Sequence, residues 1–214
     1  MANGAGTELW LVRHGETEWS AENKHTSRTD IGLTELGRAR AAVLGKYLAG
    51  VEFCAVMRSP MGRARETCEI AGFGDRAIVD EGLREWDYGV YEGRTTAEIQ
   101  REIPGWSVWK DPVIGGESLE QVGGRADGVI ARALSLAGQP TSQIRDVGHP
   151  DAKPGTNRVL LFGHAHILRI LAARWIGLAP VAGSLLVLGT GSVSVLGWER
   201  ETSVVQRWNN SFEQ

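Results

Sequence analysis

Short apolar runs alternate with helix-like segments through the first half of this chain and again near residue 160, and this alternation most limits what it can fold into. Glu8–Val12 reads as a first strand, Phe53–Arg58 as a second, Arg76–Asp80 as a short third and Arg158–Phe162 as a strong fourth. Thr34 caps a helix running to about Leu48, with Leu36, Leu44 and Leu48 on one face. Ser59-Pro60 places a capping residue before a proline in the first position of a helix running to about Ala71. Thr95–Glu102 reads as a short helix. Ser118-Leu119-Glu120-Gln121 fits a capping box for a helix to about Ala137, locally weakened by Gly123 and Gly124. Ala165–Trp175 is a further helix, and Leu185–Leu188, Ser192–Trp198 and Ser203–Trp208 are further strands. The pattern predicts a three-layer α/β/α sandwich around a mostly parallel sheet, in which ligands sit beyond the carboxyl ends of the strands.

The 214 residues suit one domain, with residues 1–7 flexible and 139–157, which hold prolines, glycines and polar residues, forming an exposed loop. A formal net charge of -3 leaves no basic surplus for a nucleic-acid partner. Cys54 and Cys68 read as buried free thiols rather than a disulfide framework. No apolar run approaches the ~18 residues of a membrane helix. The first seven residues lack the basic and apolar regions of a signal peptide. These features predict a soluble, cytoplasmic protein without membrane or nucleic-acid partners, either a monomer or a homodimer.

Three of the strands end in basic residues: Arg13 and His14, Arg58 with nearby Arg63, and His164. An imidazole beside an arginine at a strand end suits a nucleophile meeting an anion, because the guanidinium offers a planar fork to oxygens. Gly15, next in line, lets backbone approach a ligand closely. Five segments recur in order along the chain. They are Arg13-His14-Gly15-Glu16-Thr17, then Ser59-Pro60-Met61-Gly62-Arg63-Ala64-Arg65-Glu66-Thr67, then Leu83-Arg84-Glu85-Trp86-Asp87-Tyr88-Gly89-Val90-Tyr91-Glu92-Gly93, then Gly115-Gly116-Glu117-Ser118, and finally Gly163-His164-Ala165-His166.

Each segment alone is a weak signal, but together and in this order the chain, from about residue 8 to 200, resembles the histidine phosphatase superfamily with its phosphoglycerate-mutase-like fold. Residues 83–89 and Leu168-Arg169 bring it nearer to small phosphatases of the sedoheptulose-1,7-bisphosphatase type. The resemblance implies that His14 attacks phosphorus and becomes phosphohistidine, with Arg13, Arg63 and a protonated His164 around the equatorial oxygens. Arg63, in the first turn of its helix, would share the anion with free backbone N–H groups. Glu85 matches the family's proton donor. That role asks for a protonated carboxyl near neutral pH, favoured by burial against Trp86 and Tyr88. The rivals are Arg65 for Arg63, and Asp87 or Glu92 for Glu85.

The implied chemistry needs no metal and no cofactor. His164 and His166 form an H-x-H pair, a weak metal signal without further ligands. Ser20 stands where many members carry a phosphate-side asparagine, and Thr26 and Ser27 fall on a substrate-touching loop. Tyr88 and Ala165 add to the substrate contacts, with alanine where the family often has glycine. His166 divides between substrate contact and structural filling, and Arg169 suits a second anion. His25 and His149 read as solvated loop residues, and Trp106 and Trp109 as core or pocket wall. True mutases usually carry a longer insertion with paired arginines for the substrate carboxylate, and none occurs between Gly93 and Ser118. The expected function is therefore a metal-independent phosphatase of small phosphorylated metabolites, such as sugar phosphates or bisphosphates. A cofactor-dependent phosphoglycerate mutase and a non-catalytic phospho-ligand binding module are the alternatives.

Overall fold

The computed structural model describes residues 6–138 and 157–212. Strands β1 (Glu8–Arg13), β2 (Ala55–Arg58), β3 (Ala77–Val79), β4 (Arg158–Gly163), β5 (Val193–Glu199) and β6 (Thr202–Asn210) form one sheet in the order β3-β2-β4-β1-β5-β6. The first four in that order pair in parallel; β5 runs antiparallel to β1 and β6 antiparallel to β5. The sheet is thus a parallel core closed at one edge by a hairpin. Helices α1 (Glu18–Ala21), α2 (Glu35–Leu48), α3 (Gly62–Ile70), α4 (Thr96–Glu102), α5 (Leu119–Gly138) and α6 (Ala165–Trp175) connect it.

Side chains alternate across a strand, and the two cores follow that period. Leu9, Leu11, Met57 and Leu161 join Val129 and Ala133 of α5 and Ile167 and Leu171 of α6. Trp10, Val12, Val56, Leu160 and Phe162 join Leu44 and Leu48 of α2 and Cys68 of α3. Strand β1 is an unbroken apolar run because helices cover both its faces. Each such side chain contributes about 1.5–3 kcal/mol by burial. This is the three-layer sandwich.

The predicted caps of α2 and α5 form. Thr34 Oγ1 accepts from the Gly37 N–H at 3.0 Å, and Ser118 and Gln121 exchange side-chain bonds to each other's backbone N–H. Leu36, however, is 48% exposed, and the buried face of α2 is Gly37, Ala41, Leu44 and Leu48. Leu36 lies eight positions before Leu44, about 80° off that face at 3.6 residues per turn. Helix α3 begins at Gly62 rather than at Pro60, and Ser59 is not its cap. Instead, the Asp30 carboxylate accepts from the Gly62 N–H at 2.9 and 3.0 Å. Residues 185–188 form no strand. Leu185 and Val187 are 81% and 73% exposed, and β1 already has a neighbour on each side. Gly123 marks a contact as well as a weak helix position: a Cβ there would lie 2.5 Å from Pro180 Cγ.

Cys54 and Cys68 are buried and free. Among the described residues no helix is long and apolar enough to cross a membrane. The predicted loop 139–157, with His149, lies outside the described residues except for Asn157, as does 1–7 except for Gly6 and Thr7.

Candidate active site

Strand register brings the basic residues together. Arg13 pairs with Gly163 across β1 and β4, and the His14 N–H continues the ladder to the Gly163 carbonyl at 3.0 Å. His14 and His164 therefore leave the sheet side by side, with ring centroids 5.1 Å apart. Across β2, the Ser59 N–H donates to the Phe162 carbonyl, so the chain enters α3 at the same edge.

His14 Nδ1 lies 2.7 Å from the Gly15 carbonyl. A carbonyl only accepts, so Nδ1 carries the proton and Nε2 carries the lone pair. Burial, with the charges of Arg63 and Arg13, holds the imidazolium pKa well below its usual value, so the ring is neutral near pH 7. Arg13 donates through Nη1 to the Leu188 carbonyl at 2.5 Å, while its buried Nε has no hydrogen-bond partner. An unpaired guanidinium N–H on a residue that lines the same cavity as His14 suits an anion. Gly15 is needed for packing: a Cβ on it would meet the Gly37 carbonyl at 2.7 Å.

Arg63 is fully buried and largely saturated. Its Nε donates to His164 Nδ1 at 3.1 Å, Nη1 to the Thr29 carbonyl, and Nη2 to the Thr26 and Ser27 carbonyls. His164 Nδ1 is thus an acceptor, so Nε2 bears the proton and meets Ser59 Oγ at 2.8 Å. Burial and the Arg63 charge push the His164 pKa well down. His164 is accordingly neutral, a correction to the protonated form expected from sequence. The N-terminus of α3 is likewise already met by Asp30. Arg65 pairs with Glu69 on the surface at 3.7 Å.

Glu85 departs furthest from expectation. Its Oε1 accepts from the N–H groups of Trp86 and Ile167, and its Oε2 from that of His166, all at 3.0 Å. Burial raises its pKa, but the hydrogen bonds it accepts, those from His166 foremost, outweigh it and hold the carboxyl well below the usual range. The free site therefore holds a carboxylate, not the carboxylic acid expected. Asp87 and Glu92 are engaged elsewhere: Asp87 pairs with Arg28, and Glu92 accepts from Ser27 and Thr29.

These groups meet at a cavity of about 430 Å³ lined by Arg13, His14, Ser20, Thr26, Glu85, Tyr88, Ala165, His166 and Arg169, with Lys24, His25 and Trp109. Arg63 and His164 lie behind its wall. Ser27 does not line it, because its hydroxyl turns to Glu92 at 2.9 Å. Ser20 Oγ donates to the Thr17 carbonyl and Thr26 Oγ1 to that of Lys24. Glu85 is the sole carboxylate among the described lining residues, facing the cations Arg13, Lys24 and Arg169. Arg169 lies 4.7 Å over the Trp109 ring and donates to the Gly183 and Ser184 carbonyls. Trp106 is core. His25 is no solvated loop residue: it is buried against Tyr88 and Trp106, and burial pulls its pKa down to about 4. No sequence signal marks it, since the Arg94 carbonyl and Thr95 that seat its backbone lie far along the chain. The H-x-H rings diverge, His164 to Arg63 and His166 to Tyr88. Among the described residues, a larger cavity of about 870 Å³ between β3 and α5 is lined by none of His14, His25, His164 and His166.

A family model for the histidine phosphatase superfamily (branch 1) matches residues 9–211, and the chain belongs to that superfamily. An acid phosphatase of Mycobacterium tuberculosis is 36% identical over 193 residues, covering 89% of this chain and 86% of its own. Sedoheptulose 1,7-bisphosphatase of Saccharomyces cerevisiae is 33% identical over 192 residues, covering 78% and 67%. A solved structure of an open-reading-frame product from Mycobacterium tuberculosis superposes with a TM-score of 0.82 at 34% identity, covering 96% of this chain and 98% of that one. The chain is a phosphatase of phosphate monoesters.

Proposed function

We propose that the chain hydrolyses small phosphorylated metabolites, sugar phosphates or bisphosphates among them, through a phosphohistidine at His14. The observation that carries this reading is the His14 ring, fixed by the Gly15 carbonyl with its Nε2 lone pair at a cavity that also receives Arg13. Nε2 attacks phosphorus, and the phosphorus–oxygen bond breaks with its electron pair on the leaving alkoxide. Arg13, which lines the cavity, stabilises the equatorial oxygens, and the buried Arg63 behind it adds its positive charge. His164, with Nδ1 held by Arg63 and Nε2–H by Ser59, packs behind the His14 ring as a neutral imidazole. Glu85 gains its proton when the phosphate dianion arrives, because a second negative charge favours its protonated form. It gives that proton to the alkoxide and recovers one from the water that attacks the phosphohistidine.

Ser20, Thr26, Tyr88, Ala165, His166 and Arg169 line the space left for the alcohol part of the substrate. Arg169 and Lys24 favour a second anionic group, and the relative that acts on a sugar bisphosphate supports that choice. The two buried free thiols suit work in the cytoplasm, as a monomer or homodimer. The test is a panel of phosphorylated metabolites with wild type and His14→Ala. The wild type should release inorganic phosphate with EDTA present, and the folded variant should not. Retained turnover in the variant overturns the mechanism. Dominant interconversion of phosphoglycerates in the presence of 2,3-bisphosphoglycerate makes the protein a mutase.

A further inference from the structure

A carboxylate oxygen has two in-plane lone pairs. Two backbone N–H groups occupy both on Glu85 Oε1, and one occupies a single pair on Oε2. The proton that Glu85 gives and recovers must therefore sit on the remaining pair of Oε2. That oxygen is 3.8 Å from His166 Nδ1, and the same Nδ1 is 2.6 Å from the Tyr88 hydroxyl. Burial pushes the Tyr88 phenol well above its ordinary pKa, so it stays protonated. A protonated phenol can donate to a bare Nδ1 or accept from Nδ1–H. The arrangement has a place for either form of the ring.

We propose that Glu85 and His166 titrate as a coupled pair that takes up one proton, on Oε2 or on Nδ1, each opposing or favouring the other's charge across 3.8 Å rather than through a shared hydrogen bond, and that Tyr88 accommodates both forms by reversing its hydrogen bond. His166 is then a positioning residue. It acts on the reaction through Glu85, by setting when Oε2 is protonated. The proposal rests on the phosphohistidine reading above. In the first half of the reaction the shared proton leaves by way of Oε2 for the alkoxide, as the phosphorus–oxygen bond breaks. In the second half a water oxygen bonds to phosphorus, the bond from phosphorus to His14 Nε2 breaks with its electrons on nitrogen, and the water proton enters on Oε2. Atoms and charge balance without a further reactant.

The charged surroundings of His166 favour a shared proton over a fixed one. Arg169 on its own helix and Arg13 of β1 oppose a full positive charge on the ring, and Glu85 favours one. His25 packs 6.3 Å away, and the Trp109 and Trp86 rings complete the cage at 5.0 and 6.0 Å. Burial in this cage, helped by the Arg169 and Arg13 charges, pulls the ring's pKa below its ordinary value.

His166→Asn removes the ring and keeps the backbone N–H on Glu85. It is compared with wild type on p-nitrophenyl phosphate, whose leaving group needs no proton, and on glycerol 1-phosphate, whose alkoxide does. The expected loss in kcat is about tenfold greater or more on the glycerol ester. The alkaline limb of its pH profile should move down by about one unit or more, since the carboxyl alone loses its proton sooner. On the wild type, ¹⁵N-histidine NMR should show the His166 Nδ1 signal moving toward the protonated form when inorganic phosphate is added, and Glu85→Gln should abolish that movement. This second measurement decides the matter if His166→Asn does not fold. Equal losses on both esters with an unmoved pH limb, or an Nδ1 signal indifferent to phosphate, overturn the proposal. A wild type that forms no phosphohistidine overturns the parent reading instead.

Discussion

At the residue scale, hydrogen bonds from partners far along the chain set the charges of the site. His14, Arg63, Glu85 and His164 are all visible as motif residues, and the fold sets them at one sheet edge. Their charges were not legible. Glu85 is ionised because α6 presents N–H groups from 81 and 82 residues away, and His164 is neutral because Arg63 donates to it across 101 residues. No local window contains both partners. Arg63 illustrates the cost of a change at this scale. Arg63→Lys cannot reproduce a planar fork serving His164 and three carbonyls. It should lose about 3 kcal/mol of stability in denaturant titration and about 10²-fold or more in kcat/KM.

Elements explain what the motif glycines are for. Gly15 in the Arg13-His14-Gly15 turn makes room for α2 rather than for a ligand. A Cβ on Gly37 would lie 2.3 Å from the Glu16 carbonyl oxygen, and one on Gly15 would meet Gly37. The two glycines let α2 press the nucleophile's turn against the sheet, with the Gly15 N–H donating to Thr67 Oγ1 of α3 at 3.0 Å. Gly37→Ala gains about 1 kcal/mol of helix propensity but meets fixed backbone, so overpacking of about 1–3 kcal/mol or more dominates. Thermal unfolding should show a lower Tm, and turnover should fall with it. The α2, α5 and α6 boundaries were legible from caps and period. The start of α3 was not, because its cap is a carboxylate from residue 30.

For the whole molecule, the site's histidines make stability depend on pH. His25 titrates at about 4 in the fold against 6.5 ordinarily, so between those values the unfolded chain binds more protons. A base whose folded pKa is lowered contributes stability above pH 6.5 that is lost as pH falls toward 4. At about 1.4 kcal/mol per unit this one group accounts for about 3 kcal/mol. His14 and His164 are displaced in the same direction, and Glu85, a lowered carboxyl, adds its loss further down in acid. Tm should therefore fall steadily from pH 7 to 4, and His25→Gln should flatten part of that slope. An unchanged slope would place the acid sensitivity elsewhere.

The layer order was legible in the alternation of strand and helix. β5 and β6 are legible as two strands, and the short connection between them forces the antiparallel pairing that closes the sheet. In the proposed mechanism His14 Nε2 takes the phosphoryl group. Rapid mixing with p-nitrophenyl phosphate, an alkaline quench and intact-mass spectrometry test it most directly. One phosphoryl group per chain, mapped to His14, should form and decay at least as fast as turnover. Hydrolysis with no adduct, or with the adduct on another residue, would contradict it.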